Sequence, residues 1–199
     1  MDESVRKALE RWPNVPNVFG WLTLDRRGNW LIKGERIGNS AVLGFIARNY
    51  ESDERGRWFF QNGPQRVFVT LGYLPYVLRT SGGKRLQIET HTGLAVEHAT
   101  GAWIDDCGGL IVRWPGGVGA VDDRDLADVA AHFTDSTGQP LSEGALSKAV
   151  DPSARGARAG FWFEHGDKRL PVGRIAATQL AQKFGFDPEP RPAEGEPDC

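Results

Sequence analysis

Glu89, His91, Glu97 and His98 gather two imidazoles and two carboxylates around a turn at Gly93. Zinc held by such groups can activate a water for hydrolysis, so Glu89, His91 and His98 raise the expectation of a small metal-dependent hydrolase. Their spacing works against it. His91 and His98 are separated by an odd number of residues, which puts two strand positions on opposite faces unless the register slips at the turn. Solvated strand ends account for all four side chains without a metal.

Other chemistry-bearing residues have ordinary explanations. In Asp105-Asp106-Cys107-Gly108-Gly109 a thiol stands beside two carboxylates, whose negative charge disfavours the thiolate, so Cys107 is a poor nucleophile and the run reads as a turn. Asp122, Asp123, Asp125 and Asp128 could offer hard oxygen ligands to Mg²⁺ or Ca²⁺. Helix capping and dipole compensation explain them equally well. Gly116-Gly117-Val118-Gly119 lacks the spacing of a dinucleotide loop or a P-loop, and the acids that follow would repel phosphate. No Gly-x-Ser-x-Gly elbow is present. His132 and His165 read as isolated. The expectation is therefore no catalytic residue, no metal and no cofactor.

Binding is easier to place than catalysis. Gly72-Tyr73-Leu74-Pro75-Tyr76 sets large aromatics beside proline in a connecting loop, with Arg66 and Arg79 on the adjoining strands. Tyrosine and arginine suit interfaces, and loops on rigid scaffolds carry binding. Arg66, Tyr73, Tyr76 and Arg79 are the candidate binding residues.

The elements that must position these groups repeat along the chain. Asp25-Arg26-Arg27-Gly28-Asn29-Trp30 comes back as Asp53-Glu54-Arg55-Gly56-Arg57-Trp58, then in part as Gly101-Ala102-Trp103 and Gly160-Phe161-Trp162. Each reads as a hairpin, with Gly28 or Gly56 at a turn position that needs positive φ. The same aromatic in each hairpin is expected to fill the core, so Trp30, Trp58, Trp103 and Trp162 should be equivalent packing residues. Asn39 should cap a helix over residues 39–49 with Val42, Leu43, Ile46 and Tyr50 as its apolar stripe. Further helices are expected from Val5 to Trp12, from Asp122 to Phe133, from Ser142 to Val150, and from Gly173 to Phe184. Between them lie alternating antiparallel strands, with Leu86 and Ile88 inward and Gln87 and Glu89 outward.

These elements define an α+β fold of repeated β-hairpin(-helix) units, with antiparallel sheets, helices on one face of each, and two closely packed subdomains. Residues 1–19 form an N-terminal helix and connector, 20–90 the first subdomain, 91–186 the second, and 187–199, rich in proline and charge, a disordered tail. The turn at 81–84 and a linker at 151–156 complete the layout.

Composition bounds the function. The 199 residues carry a formal net charge of -2, with basic and acidic side chains interleaved, so no footprint for nucleic acid is visible. No apolar run approaches the ~20 residues of a membrane span, and the acidic start is unlike a signal peptide, so a cytoplasmic location without membrane association is expected. Cys107 and Cys199 are the two cysteines, and a structural disulfide is not expected. The partner, protein or small molecule, and the oligomeric state stay open.

The order Asp25-x-x-Gly28-x-Trp30, Gly34-x-x-Ile37, a helix, then Asp53-x-x-Gly56-x-Trp58-Phe59-Phe60 and the strands through Tyr76 resembles two related bacterial families of unknown function. It is most similar to the one opening with a segment like Trp12-Pro13-Asn14-Val15-Pro16. The more distant family implies a two-domain α+β fold of repeated motifs and a role in signal transduction. It tends to place acidic residues before its Pro-aromatic pair, where this chain has Gly72-Tyr73-Leu74. The functional expectation is an uncharacterised bacterial binding or regulatory module, the alternatives being the hydrolase above and a self-assembling scaffold that pairs through an exposed sheet edge.

Overall fold

A computed structural model of the chain describes residues 1–81, 85–149, 151 and 158–195. Residues 82–84 of the expected turn, 152–156 of the expected linker and 196–199 of the tail lie outside the described residues. The chain divides into two units, Met1–Pro75 with Phe184–Cys199, and Tyr76–Lys183.

In the first unit α1 (Glu3–Arg11) precedes β1 (Val18–Leu24), β2 (Trp30–Ile32) and β3 (Glu35–Arg36). Then come α2 (Ser40–Arg48), β4 (Tyr50–Ser52), β5 (Trp58–Asn62) and β6 (Gln65–Leu71). The strands form one sheet in the order β3-β2-β1-β6-β5-β4. Its hairpin neighbours are antiparallel, and β1 and β6 meet in parallel at the centre. Asn39 caps α2 as the sequence requires, its Oδ1 accepting from the Ala41 and Val42 amides at 2.9 and 3.3 Å. Phe45 of α2 meets Phe60 of β5 edge to face at 5.4 Å. On the same face Trp30 and Trp58 flank Tyr50 at 5.1 and 4.8 Å.

The second unit holds β7 (Tyr76–Ser81), β8 (Gln87–Thr90), β9 (Gly101–Asp105), β10 (Leu110–Trp114) and β11 (Gly117–Val121). A 3-10 turn at Asp123–Asp125 leads into α3 (Leu126–Ala130), followed by β12 (Phe133–Thr134), α4 (Glu143–Ala149), β13 (Arg158–His165) and β14 (Lys168–Ile175). The sheet order is β12-β13-β14-β9-β10-β11-β7-β8, with β14/β9 and β11/β7 parallel. Without β7 and β8 this is the order of the first sheet with each strand number raised by eight, parallel centre included. A second 3-10 turn, Ala177–Gln179, leads to α5 (Leu180–Phe184). No helix among the described residues is long and apolar enough to cross a membrane.

One turn recurs in both units. At Asp25, Asp53, Asp105 and Asp135 the carboxylate accepts from the amides two and four residues on, at 2.7–3.1 Å. The amide three residues on donates to the aspartate carbonyl, and the glycine that supplies it has φ between 76° and 89°. Thr90 builds the same loop with its hydroxyl, accepting from the Leu94 amide at 2.9 Å. This is the three-residue hairpin connection, a type I turn closed by a left-handed glycine. The residue before each turn pairs with the residue after it in one register, as in Leu24 with Trp30, Ser52 with Trp58 and Ile104 with Leu110.

Several expectations need correction. Tyr76–Thr90 belongs to the second unit, because β7 pairs with β11 and carries β8 with it, so the first unit ends at Pro75 and not at residue 90. The tail is held at its start: the Leu71 amide donates to the Pro188 carbonyl at 2.8 Å, the Asp187 amide to the Gly56 carbonyl at 2.9 Å, and Phe186 and Pro190 are buried. The four tryptophans are not equivalent. Trp30 and Trp58 follow their turns and Trp30 is 3 % exposed, whereas Trp103 and Trp162 precede theirs and are half-buried. Trp103 lies across Gly101 and Gly173, where a β-carbon would fall within 2.4–2.5 Å of its ring. The helix expected from Asp122 is split by the 3-10 turn and ends before Phe133, which joins a strand; β14 likewise continues to Ile175, where a helix was expected from Gly173.

Candidate functional site

The four binding candidates fall into separate settings. In the first unit Arg66 is exposed with its guanidinium 4.7 Å from the Phe59 ring centre, and Tyr73 is half-buried beneath Arg26 at 4.4 Å. In the second, Tyr76 is 5 % exposed between His91 and Trp114, with ring centres at 5.9 and 5.3 Å. Arg79 is exposed and grips Asp125, Nε to Oδ2 at 2.7 Å and Nη2 to Oδ1 at 3.1 Å. Tyr76 and Arg79 stand an odd number of residues apart on β7, so strand alternation sends them to opposite faces.

Glu89 and His91 line one cleft together with Arg79, but His98 does not line it, and the three do not bring ligand atoms within 4.8 Å of one another. The His91 amide donates to the Val77 carbonyl at 2.7 Å, and its Nδ1 accepts from the Val77 amide at 3.3 Å, so the ring is built into the edge of the β7–β8 hairpin. Among the described residues, the group offering three ligand atoms within 4.8 Å of one another is Asp105, Asp106 and Cys107. Two of its oxygens already accept backbone amides: Asp105 Oδ1 from Cys107 and Gly109, Asp106 Oδ1 from Ala177. The aspartates after β11 are also divided among partners. Asp122, its side chain wholly buried, takes the Arg124 guanidinium and amide, and Asp125 takes Arg79.

What the second unit does offer is a cavity of about 700 Å³. Leu86, Ile88 and Val96, each at most 6 % exposed, supply apolar wall; the rest is largely polar, with Thr80, His91 and His165 beside the charged Arg79, Arg85, Glu89 and Glu97. That volume lies within the range of small-molecule sites, and the mixed charges of the wall suit a polar ligand. Among the described residues Thr80 Oγ1 has no hydrogen-bond partner, and it is buried behind this wall. The backbone beside it is fixed, because the Thr80 amide donates to Asp125 Oδ2 at 2.8 Å. His165 is 5 % exposed, lies parallel to Phe163 at 6.1 Å, and accepts from the Ala99 amide at Nδ1. An accepting nitrogen carries no proton, so the neutral ring bears its hydrogen on Nε2.

Over residues 1–191 the sequence matches the family described as "Protein of unknown function (DUF2946)". The chain belongs to that family. No curated protein matches it. Among solved structures it is similar to a DUF1285 family protein from Silicibacter pomeroyi DSS-3, at 15 % identity and a TM-score of 0.53, over 81 % of this chain and 85 % of that one. It is also similar to a DUF1285 family protein from Shewanella baltica OS155, at 12 % identity and a TM-score of 0.42, over 54 % of this chain and 87 % of that one. The first likeness is one of fold, and it agrees with the α+β class.

In this DUF2946 protein His165 and Thr80 escaped the sequence reading. Thr80 gives no signal, since its hydroxyl is orphaned by tertiary packing. His165 gives one: Phe161, Phe163 and His165 alternate along β13 and all three are buried, a period-two pattern that places the imidazole inward. Its pKa is lowered, first by desolvation and then by the nearby His98 and His132. The unfolded state therefore binds more protons below the ordinary histidine pKa of about 6.5. Stability should fall as pH drops through that value, and a His165→Phe variant should lose part of this slope. Urea midpoints from pH 7.5 to 5 measure it; equal slopes would show that His165 is not the group responsible.

Proposed function

We propose that the chain is a cytoplasmic bacterial binding module with a regulatory role in signal transduction, and that its ligand occupies the Thr80–His165 cavity. The observation that carries this reading is the ligand-sized space itself, with the Thr80 hydroxyl, unpartnered among the described residues, lying just behind its wall. A buried hydroxyl without a partner costs roughly 1–3 kcal/mol, and a bound acceptor or donor would remove that cost. The imidazoles of His91 and His165 each accept a backbone amide at Nδ1, which fixes both rings in the wall. The sheet edges do not favour the scaffold reading: β3 and β12 are two residues long, β4 three, and β8, four residues long, receives the Val96 amide on Ile88. The matching strand orders and turns support two subdomains built by reuse of one hairpin-helix-hairpin unit, with β7 and β8 added to the second.

Thr80→Val tests the reading because it exchanges the orphaned hydroxyl for a methyl of similar size. Without ligand the variant should be more stable by roughly 0.5–1 kcal/mol. In a thermal-shift screen of metabolites and nucleotides, a compound that raises the wild-type midpoint should raise the variant's by less. Equal shifts in the two proteins, or no shift with any compound, would remove the cavity from consideration.

A further inference from the structure

We propose that a second cleft, on the first unit, binds a small oxyanion, with the Arg66 guanidinium as its anchor. The cleft measures about 710 Å³ and lies between the β4–β5 turn, the start of β6 and residues 193–195. Phe59 lines it, backed by the buried rings of Phe68 and Phe19. Phe68 stacks on Phe19 at 4.5 Å, and Phe59 meets Phe68 edge to face at 5.7 Å. A guanidinium rests on each of the two central rings, Arg66 over Phe59 at 4.7 Å and Arg57 over Phe68 at 4.4 Å.

The sequence dictates this arrangement. Arg57 and Phe59 alternate on the strand after the Asp53 turn, Arg66 and Phe68 alternate on β6, and Phe59 pairs with Phe68 across the ladder. All four side chains therefore share one face. Arg57 is 9 % exposed and tethered, its Nε donating to Asp53 Oδ2 at 2.8 Å. A guanidinium held over a ring has less rotamer freedom to lose when a ligand arrives, and the exposed Arg66 offers a planar N–H fork suited to carboxylate or phosphate oxygens.

The carboxylates around the cleft limit what it can select. Asp53 is spent on its turn and on Arg57, and Glu51 lies 3.5 Å from the amino terminus. Glu54 and Glu194 remain, both exposed, against Arg55 and Arg66. Net charge then draws no anion inward, and recognition falls to the Arg66 fork. A compact group with two or three oxygens, a carboxylate or a phosphate, matches it.

Calorimetric titration of the full chain with inorganic phosphate and with succinate tests this and separates the two oxyanion sources. One of them should bind, and Arg66→Ala should weaken it by at least about tenfold. Arg66→Lys should not restore it, because an ammonium offers no planar fork. Glu194→Gln should tighten binding by about twofold or more through loss of a like charge. Arg66 is exposed, so its variants should unfold at the wild-type urea midpoint. No binding of either anion at about 10 mM, or unchanged binding by Arg66→Ala, would overturn the proposal.

Discussion

Gly56→Ala should destabilise the first unit by about 4 kcal/mol, far more than alanine at other left-handed glycines of that unit. Gly56 closes the Asp53 turn with φ of 76°, a conformation that costs an L-residue roughly 1–2 kcal/mol. At Gly56 a β-carbon would also fall 2.2 Å from the Gly185 carbonyl oxygen and 3.0 Å from the Phe186 Cα. Both are backbone atoms, so no rotamer change relieves the overlap. The turn and residues 185–187 must move apart. That breaks the Asp187 amide bond to the Gly56 carbonyl, about 1 kcal/mol, and exposes Phe186, 8 % exposed when packed, roughly 1.5–3 kcal/mol if fully released.

Gly63→Ala is the control, since Gly63 has φ of 57° and nothing within 4 Å of an added β-carbon. It should cost about 1 kcal/mol. Amide exchange at Asp187 reads the first unit locally, which matters because a chain of two units need not unfold in one step. Equal costs for the two variants would mean that the chain after Gly185 does not depend on this contact.

The contrast between that turn and the tail it holds shows what a sequence can reveal. An aspartate with glycine three residues later makes its hydrogen bonds within five residues, so the loops at Asp25, Asp53 and Asp105 are legible from local chemistry. The Asn39 cap is legible for the same reason. The parallel contacts of β1 with β6 and β9 with β14 join strands more than forty residues apart, and nothing in either strand's alternation names its partner. The sequence reading accordingly expected antiparallel pairing throughout. The tail looked disordered because proline and charge dominate it, yet Phe186 and a few backbone bonds suffice to fix residues 186–190. Site residues followed the same division. Arg66 was visible as a cation on a strand beside an aromatic loop, while the ring beneath it depended on the β5–β6 register.

Asp125→Ala should cost the second unit about 3 kcal/mol and, if the proposed ligand site is at the Thr80 cavity, weaken binding there as well. The parallel ladder between β11 and β7 runs out at Val121 opposite Leu78, with one more bond from the Asp122 amide to the Leu78 carbonyl. The chain then turns away into the 3-10 segment, and the next inward amide of β7, that of Thr80, would have no strand to bond. The Asp125 carboxylate takes its place, accepting from Thr80 N at 2.8 Å while forking Arg79 at 2.7 and 3.1 Å. Hydrogen bonds to a charged group contribute roughly 1.5–3 kcal/mol each, but the Arg79 side chain is 50 % exposed, so its share is discounted for solvent screening. Asp125→Asn retains an acceptor and should lose about half as much.

The Asp125 pKa is lowered chiefly by its bond to Arg79. Its carboxylate therefore contributes stability that is present above about pH 4 and lost as pH falls below it. Urea unfolding at pH 7 and pH 3 should show the gap between wild type and Asp125→Ala narrowing in acid. A gap that stays constant would mean the residue acts through packing, not through its charge, and the link from this carboxylate to the set of the Thr80 backbone would fail with it.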